Sequence, residues 1–214
     1  MDPELNDIAE FVSDFDHGDS EPEHSDDTIY KRWHRKGFIS IRPWLDAGRF
    51  VVDIGAINAD TKAKISNTVA YVKAIDLATY LRSVTNNNAV DLYPAGGVGG
   101  NVQDNVTPES FVVYGGSHTK DHGPTSRIFK IHHWGIYDKA TKTTSYDPTA
   151  FAWKIGLFKA GTTSSGAFIA KRDQILQADM IKIPRQEMHR IEYCVNLALV
   201  NYAATHPTSS LNPG

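Results

Sequence analysis

Cationic side chains alternate with aromatic and aliphatic residues in four short segments of the chain, at 38–44, 69–73, 128–134 and 151–158. Because successive side chains point to opposite faces of a β-strand, each segment predicts one apolar face and one face that carries cations and rings. Such a face suits single-stranded nucleic acid, whose bases stack on aromatic side chains at about 1–3 kcal/mol each while cations follow the phosphates. Together with Lys182 from a later apolar run, the candidate nucleic-acid-binding residues on strands are Arg42, Trp44, Tyr71, Lys73, Lys130, His132, Trp134, Lys154, Phe158 and Lys182.

The densest basic run is YKRWHRK at 30–36, in which one tryptophan stands among cations. One interpretation is an arm that extends the binding path, because clustered cations attract phosphates. The other is a linker between an acidic tail and the first sheet. The arm adds Arg32, Trp33, Arg35 and Lys36 to the candidate nucleic-acid-binding residues.

Charge is segregated along the chain, although the net charge of the whole is only −3. Residues 1–27 hold eleven of the 25 acidic residues and no Lys or Arg, so the remainder carries 14 acids against 22 Lys and Arg, a net of +8. A one-signed segment with few aliphatic residues cannot bury enough apolar surface to fold alone. We therefore predict a disordered acidic tail that either covers the basic faces until phosphates displace it, or recruits a protein partner.

A group of histidines with two nearby aspartates suggests a different chemistry: His118, His122, His132, His133, Asp121 and Asp138. A metal-dependent nuclease or phosphodiesterase built on this group is one alternative function. However, the first two histidines lie in a Gly- and Pro-containing loop, where i,i+4 spacing places nothing together. His132 and His133 are adjacent and therefore point to opposite faces of a strand. We predict no catalytic residue, no bound metal and no cofactor.

A second alternative is a protein–protein interaction module, or a factor that regulates recombination, whose basic sheet faces an acidic partner. Lysines also protect the edges of sheets from aggregation, which explains some of the cations without any ligand. Retention on single-stranded DNA at moderate salt separates this alternative from nucleic-acid binding.

Several classes of protein are excluded by composition. No stretch approaches 18 apolar residues, and the start MDPELNDIAE lacks the basic flank and apolar core of a secretory signal. The one cysteine, Cys194, lies in an apolar helical run, so no disulfide is expected within the chain. We expect no membrane association and a cytoplasmic, nucleoid-associated location.

Each half of the sequence shows several strand patterns followed by one helix pattern. The runs 38–44, 49–57 and 67–74 predict a three-stranded meander, and Ile75, Leu77, Leu81 and Val84 predict one side of a short helix. The second half repeats the pattern with strands in ESFVVYGG, SRIFKIHHWGIYD, AFAWKIGLFKAG, GAFIAKR and ADMIKIP. It ends in a helix that carries Met188, Ile191, Val195, Leu199 and Tyr202 at helical spacing.

The predicted fold class is therefore α+β, with two β-sheet-plus-helix repeats whose antiparallel sheets are each closed by a C-terminal helix. The predicted organisation is an acidic tail at 1–27, a basic body at 28–206 and a flexible end at 207–214. The body divides into a first repeat at about 37–88, a linker at 89–109 and a second repeat at about 110–205.

Residues 31–205 resemble, in the order of their elements, the Whirly and transcriptional-coactivator group. The resemblance lies in the strand pairs FISIRPW/RFVVDIGAI and AFAWKIGLFKAG/GAFIAKR, and in the strand-to-helix junctions at Lys73 and Lys182. It implies two β-β-β-β-α repeats whose sheets bind single-stranded DNA. We expect a non-enzymatic single-stranded DNA-binding protein of replication, recombination or repair that forms a homo-oligomer, with RNA as the other candidate ligand.

Overall fold

The computed structural model of the chain describes residues 27–61, 63–92, 109–118, 124–162 and 168–206. The predicted tail, apart from Asp27, the Gly-rich part of the predicted linker at 93–108 and the predicted flexible end at 207–214 lie outside these residues. The elements are β1 (Tyr30–Trp33), β2 (Gly37–Trp44), β3 (Arg49–Ile57), β4 (Lys64–Lys73), α1 (Ala74–Thr85), α2 (Ala89–Leu92), β5 (Phe111–His118), β6 (Thr125–Asp138), β7 (Thr143–Thr162), β8 (Phe168–Pro184) and α3 (Arg185–Thr205).

Two four-stranded antiparallel sheets make up the described body. The first sheet has the order β1-β2-β3-β4 and is followed by α1, and the second has the order β5-β6-β7-β8 and is followed by α3. The predicted α+β class and the duplication of sheet and helix are thus confirmed. Both helices begin directly after the last strand of their sheet, at Ala74 and at Arg185.

Three local predictions differ from the structure. The run predicted as an arm or linker is strand β1 and the turn after it, because Tyr30 is buried and the backbone pairs with β2 from Tyr30↔Ile41 to Trp33↔Phe38. The two strands predicted in GAFIAKR and ADMIKIP belong to one long strand, β8. Ile75 does not line the buried side of α1 but is exposed. It is two residues from the buried Leu77, and a separation of two residues puts side chains on nearly opposite sides of a helix.

The inner faces of both sheets and the two long helices form the core. Ile39 and Ile41 of β2 are fully buried, as the alternation predicted, and so are Phe129 and Ile131 of β6. On α3 the predicted stripe is confirmed: Met188, Ile191 and Val195 are buried, and Leu199 and Tyr202 pack against the core. Among the described helices, none is long and apolar enough to span a membrane.

Polar contacts join the two sheets where β4 meets β8. The buried carboxylate of Asp179 on β8 accepts hydrogen bonds from the Ser66 hydroxyl at 2.8 Å and from the Thr68 hydroxyl, both on β4. The Gln177 amide also donates to the Asn67 carbonyl oxygen at 3.1 Å. Because a buried carboxylate is costly without partners, these bonds fix the position of one sheet against the other.

Candidate nucleic-acid interface

The side of the second sheet that faces away from the core carries the predicted cations. We call it the second outer face; by strand register it comprises Ile128, Lys130, His132, Ala152, Lys154, Gly156, Phe158, Met180 and Lys182. Lys130 of β6 stands directly opposite Lys154 of β7, and His132 and Lys182 flank Ala152 on either side. Like charges directly across a strand pair destabilise a sheet. Two opposed lysines also form a position that suits an anionic ligand.

Trp134 and Lys182 meet at the margin of this face. The Lys182 ammonium lies 5.5 Å from the centre of the Trp134 ring and 3.2 Å from an Asp147 carboxylate oxygen. A β-bulge between His133 and Trp134 places the tryptophan opposite Asp147. The hydroxyl and backbone N–H of Thr149, followed by the Lys182 ammonium, lower the pKa of Asp147 to about 2. The carboxylate is thus charged at neutral pH and holds the lysine beside the ring.

Phe158 lies flat against its own strand because the nearby position is glycine. A Cβ on Gly156 would lie 2.5 Å from the Cε2 atom of the Phe158 ring, which no real contact tolerates. Gly156 therefore permits the ring to cover the backbone. The ring is half-buried and presents its free side on the second outer face.

On the corresponding side of the first sheet, which we call the first outer face, Trp44 and Tyr71 are in contact. Their ring centres are 5.6 Å apart in an edge-to-face arrangement, and the Arg127 guanidinium lies 5.8 Å from the Tyr71 ring. Gly116, with φ of +101°, brings the β5 backbone against the same tyrosine. Lys73 is exposed at the end of β4. Two of the predicted rings are thus brought together with a cation from the other sheet.

The first outer face also holds a carboxylate. Asp53 faces this side beside Arg42 and accepts a hydrogen bond from the Asn67 amide at 3.1 Å. Burial raises the pKa of Asp53 above its usual range, and the bond from Asn67 acts in the opposite direction. The first outer face is therefore electrostatically mixed, whereas the carboxylate described beside the second outer face, Asp147, lies at its margin.

A further aromatic and cationic group lies at the end of the first sheet where β1 turns into β2. We call it the tip cluster: Lys31, Trp33, Phe38 and Lys64. The two rings are 5.2 Å apart, with the Lys31 ammonium 4.9 Å from the Trp33 ring and the Lys64 ammonium 5.4 Å from the Phe38 ring. Arg35 and Lys36 are exposed in the adjoining turn.

Arg32 is the predicted site residue that the structure places away from both outer faces. It lies on the core-facing side of β1, and its guanidinium forms an ion pair with Glu187 of α3 at 2.7 Å. The Tyr30 hydroxyl donates to the same carboxylate at 3.1 Å, and burial, followed by that negative charge, raises the pKa of Tyr30. These contacts give Arg32 a structural role in anchoring β1 to α3.

Sequence reasoning missed four of the cationic and aromatic residues in these groups. Lys31 and Phe38 alternate with predicted site residues, but only the pairing of β1 with β2 shows that they meet. Lys64 begins β4, three residues before the predicted start of that strand. Arg127 reaches Tyr71 from the other sheet, a contact that no local pattern contains.

The histidine group is not assembled into a metal site among the described residues. His132 and His133 face opposite sides, as predicted: the His133 Nε2 lies 2.9 Å from a Glu109 carboxylate oxygen, whereas His132 lies on the second outer face. Arg185 donates to the same Glu109 oxygen at 2.6 Å. No set of three or more His, Cys, Asp or Glu side chains within the described residues is placed to hold a metal ion. The side chains of His118 and His122 lie outside that part of the chain.

Comparisons with known proteins concern the fold. No protein-family model matches the chain, and no curated protein sequence matches it. Among solved structures, the plant transcriptional regulator PBF-2 is similar over 86% of this chain and 96% of its own, at 9% identity and a TM-score of 0.46. WHY3 from Arabidopsis thaliana is similar over 84% of this chain and 96% of its own, at 9% identity and a TM-score of 0.45. Both have the architecture that the sequence suggested, and at 9% identity the likeness is one of fold alone.

Proposed function

We propose that the protein binds single-stranded DNA without acting as an enzyme, in replication, recombination or repair, and that the second outer face is its main binding surface. The observation that carries the proposal is the directly opposed pair Lys130 and Lys154, with Phe158 at one end and Trp134 beside Lys182 at the other. Cations for phosphates and rings for bases thus alternate on one surface, which is the arrangement that single strands require.

The cation beside Trp134 also supports exchange with a ligand. A cation over an aromatic ring contributes about 0.5–1 kcal/mol at an exposed site, whereas a stacked base contributes about 1–3 kcal/mol. A base that replaces the Lys182 ammonium over Trp134 therefore gains free energy, and the released ammonium is available to a phosphate. A phosphate that lies between Lys130 and Lys154 is attracted by both ammonium groups.

Duplex DNA fits this surface less well. Its bases present no free ring faces, so Trp134 and Phe158 cannot stack on them. Phosphate contacts would remain, and they carry no sequence information. We therefore propose weak sequence preference and a preference for single strands over duplex, with RNA as a ligand to be tested beside DNA.

Assembly into a homo-oligomer is part of the proposal. Tyr193, Leu197 and Val200 of α3 are all exposed. Their spacing of four and three residues puts them on one side of the helix. Apolar stripes of this spacing commonly pair with another helix. The acidic tail at 1–27 completes the proposal as a segment that competes with DNA or recruits a protein partner, in a protein located with the nucleoid.

The test is a titration of tryptophan fluorescence with oligo-dT, oligo-U and duplex DNA of equal length, each at about 50 and 200 mM salt. Three phosphate contacts, from Lys130, Lys154 and Lys182, predict a log–log salt slope of about −2 for a single strand, or an affinity loss of about 20-fold over this range. Quenching by the single strands with weaker duplex binding is the expected result. An absence of binding to all three ligands would overturn the proposal in favour of a protein-binding module.

A further inference from the structure

A cavity lies beside the tip cluster, at the end of the first sheet. It is lined by Trp33, His34, Arg35 and Ile57, so an aromatic ring, an imidazole and a guanidinium surround one concave space. Trp33 is 55% exposed, whereas Ile57 is buried and provides an apolar wall. The turn that contains the cavity is fixed by bonds from the His34 N–H to the Gly37 carbonyl at 2.7 Å and from the Ile57 N–H to the Lys36 carbonyl at 3.1 Å.

One residue of the cavity lining carries a polar atom that has no hydrogen-bond partner in the described part of the chain. The Nε2 atom of His34 is buried and forms no hydrogen bond with any described residue. Buried polar atoms are nearly always paired in folded proteins, and exceptions often mark a ligand site. Burial and the neighbouring Arg32 lower the pKa of His34, with Glu187 acting in the opposite direction. A neutral imidazole at this position can donate one hydrogen bond to an anionic oxygen.

We propose that this cavity binds the terminal nucleotide of a single strand that ends in a phosphate monoester. The terminal base stacks on Trp33, and the terminal phosphate accepts from Arg35 and from His34. A monoester carries about −1.5 to −2 charges at neutral pH, against one for an internal phosphodiester. The cations of this end of the sheet, Lys31, Arg35, Lys36 and Lys64, match that higher charge, and Asp60 is the one described carboxylate in the neighbouring β3–β4 turn.

The location of the cavity supports a strand end in preference to a strand interior. The cavity lies where β1 turns into β2, at the limit of the first outer face. A strand that runs along this face can therefore end there, with its last nucleotide in the cavity and the next nucleotide on the sheet. The proposal rests on single-strand binding as proposed above and specifies the kind of strand: one with a phosphorylated end.

The experiment compares four single-stranded competitors of equal length and sequence against a labelled oligo-dT. These are a closed circle, a linear strand with hydroxyls at both ends, a linear strand with a 5′-phosphate and a linear strand with a 3′-phosphate. We expect one phosphorylated end to compete at least about fivefold better than the circle, the lower limit for one stacked base. The two phosphorylated strands show which end the cavity accepts.

Variants separate the cavity from the general binding path. Arg35→Ala and Trp33→Ala should abolish the preference for the phosphorylated end, so that the phosphorylated strand competes no better than the circle. Trp33→Phe, which retains a ring, should keep part of the preference. Arg82→Ala removes one charge from an exposed position on α1 and serves as the matched control, with the preference unchanged.

Each negative outcome is distinct. Equal competition by all four strands would overturn the end-binding proposal and leave single-strand binding intact. A loss of affinity for the circle as large as that for the phosphorylated strand in Arg35→Ala would show that Arg35 contacts the strand interior, which also overturns it. Failure of every strand to compete would mean that the proposed function itself is wrong.

Discussion

Replacement of Trp134 by alanine is the most direct test of the second outer face. The ring is half-buried, lies 5.5 Å from the Lys182 ammonium and stands opposite Asp147 just past the β-bulge of β6. Trp153, by contrast, is fully buried and donates its indole N–H to the Met188 sulfur at 3.3 Å. The two tryptophans thus provide one surface ring and one core ring within the same sheet.

The expected loss of affinity follows from what the Trp134 ring contacts in the complex and in the unbound protein. A stacked base is worth about 1–3 kcal/mol in the complex, and the cation–π contact with Lys182 is worth about 0.5–1 kcal/mol in the unbound protein. The difference between the midpoints of these ranges predicts that Trp134→Ala weakens oligo-dT binding by about 1.3 kcal/mol, or about eightfold. Because the ring is half-buried, the folded state loses apolar contacts as well as the cation–π contact, so we expect the thermal midpoint to fall while the protein stays folded.

The assay is fluorescence anisotropy of labelled oligo-dT, with circular dichroism and thermal melting of each variant. Trp134→Phe should recover most of the affinity, because phenylalanine also presents a ring to a base. Native affinity in a folded Trp134→Ala protein would refute the stacking role. Loss of the folded state in both variants would instead place Trp134 in the core.

Three further predictions concern charge. Lys154→Met should make the salt slope of oligo-dT binding shallower by about 0.7, because it removes one phosphate contact. An unchanged slope would exclude Lys154 from phosphate contact. Asp147→Asn should tighten binding by releasing Lys182. Since the pKa of about 2 keeps Asp147 charged, the gain should disappear only when the pH falls from about 4 towards 2 and the native carboxylate is itself protonated. Deletion of residues 1–27 should tighten binding at low salt more than at high salt, and equal affinities of the two proteins would leave recruitment of a partner as the role of the tail.

Local alternation was enough to predict much of the second outer face. The sequence AWKIGLF assigns Lys154 and Phe158 to one side and Trp153 to the other, because the period of a strand is two residues. The structure confirms this division, with Trp153 fully buried and Phe158 on the outer side. The same rule separated His132 from His133 and so removed the two adjacent histidines from one metal site.

Contacts that depend on register or on packing between sheets could not be predicted in this way. The tip cluster requires the pairing of Trp33 with Phe38 across a turn, in a segment whose composition indicated an arm or linker. The approach of Arg127 to Tyr71 depends on the position of one sheet against the other. Glu109 adopts a left-handed φ of 69° and joins His133 to Arg185, although its place in a predicted linker gave no sign of this role.

Glycines provide a second physical rule that connects sequence with binding surface. Phe38 covers Gly55 on the neighbouring strand, and Phe158 covers Gly156 on its own strand; in each case a Cβ on the glycine would lie 2.5 Å from the ring. A ring beside an ordinary residue stands upright between side chains, whereas a ring over glycine lies flat on the backbone and can present its π-face outward. The Phe38 ring already contacts Trp33 and Lys64, so it packs within the tip cluster. Phe158 is only half-buried, which makes it the ring of this kind that remains open to a base.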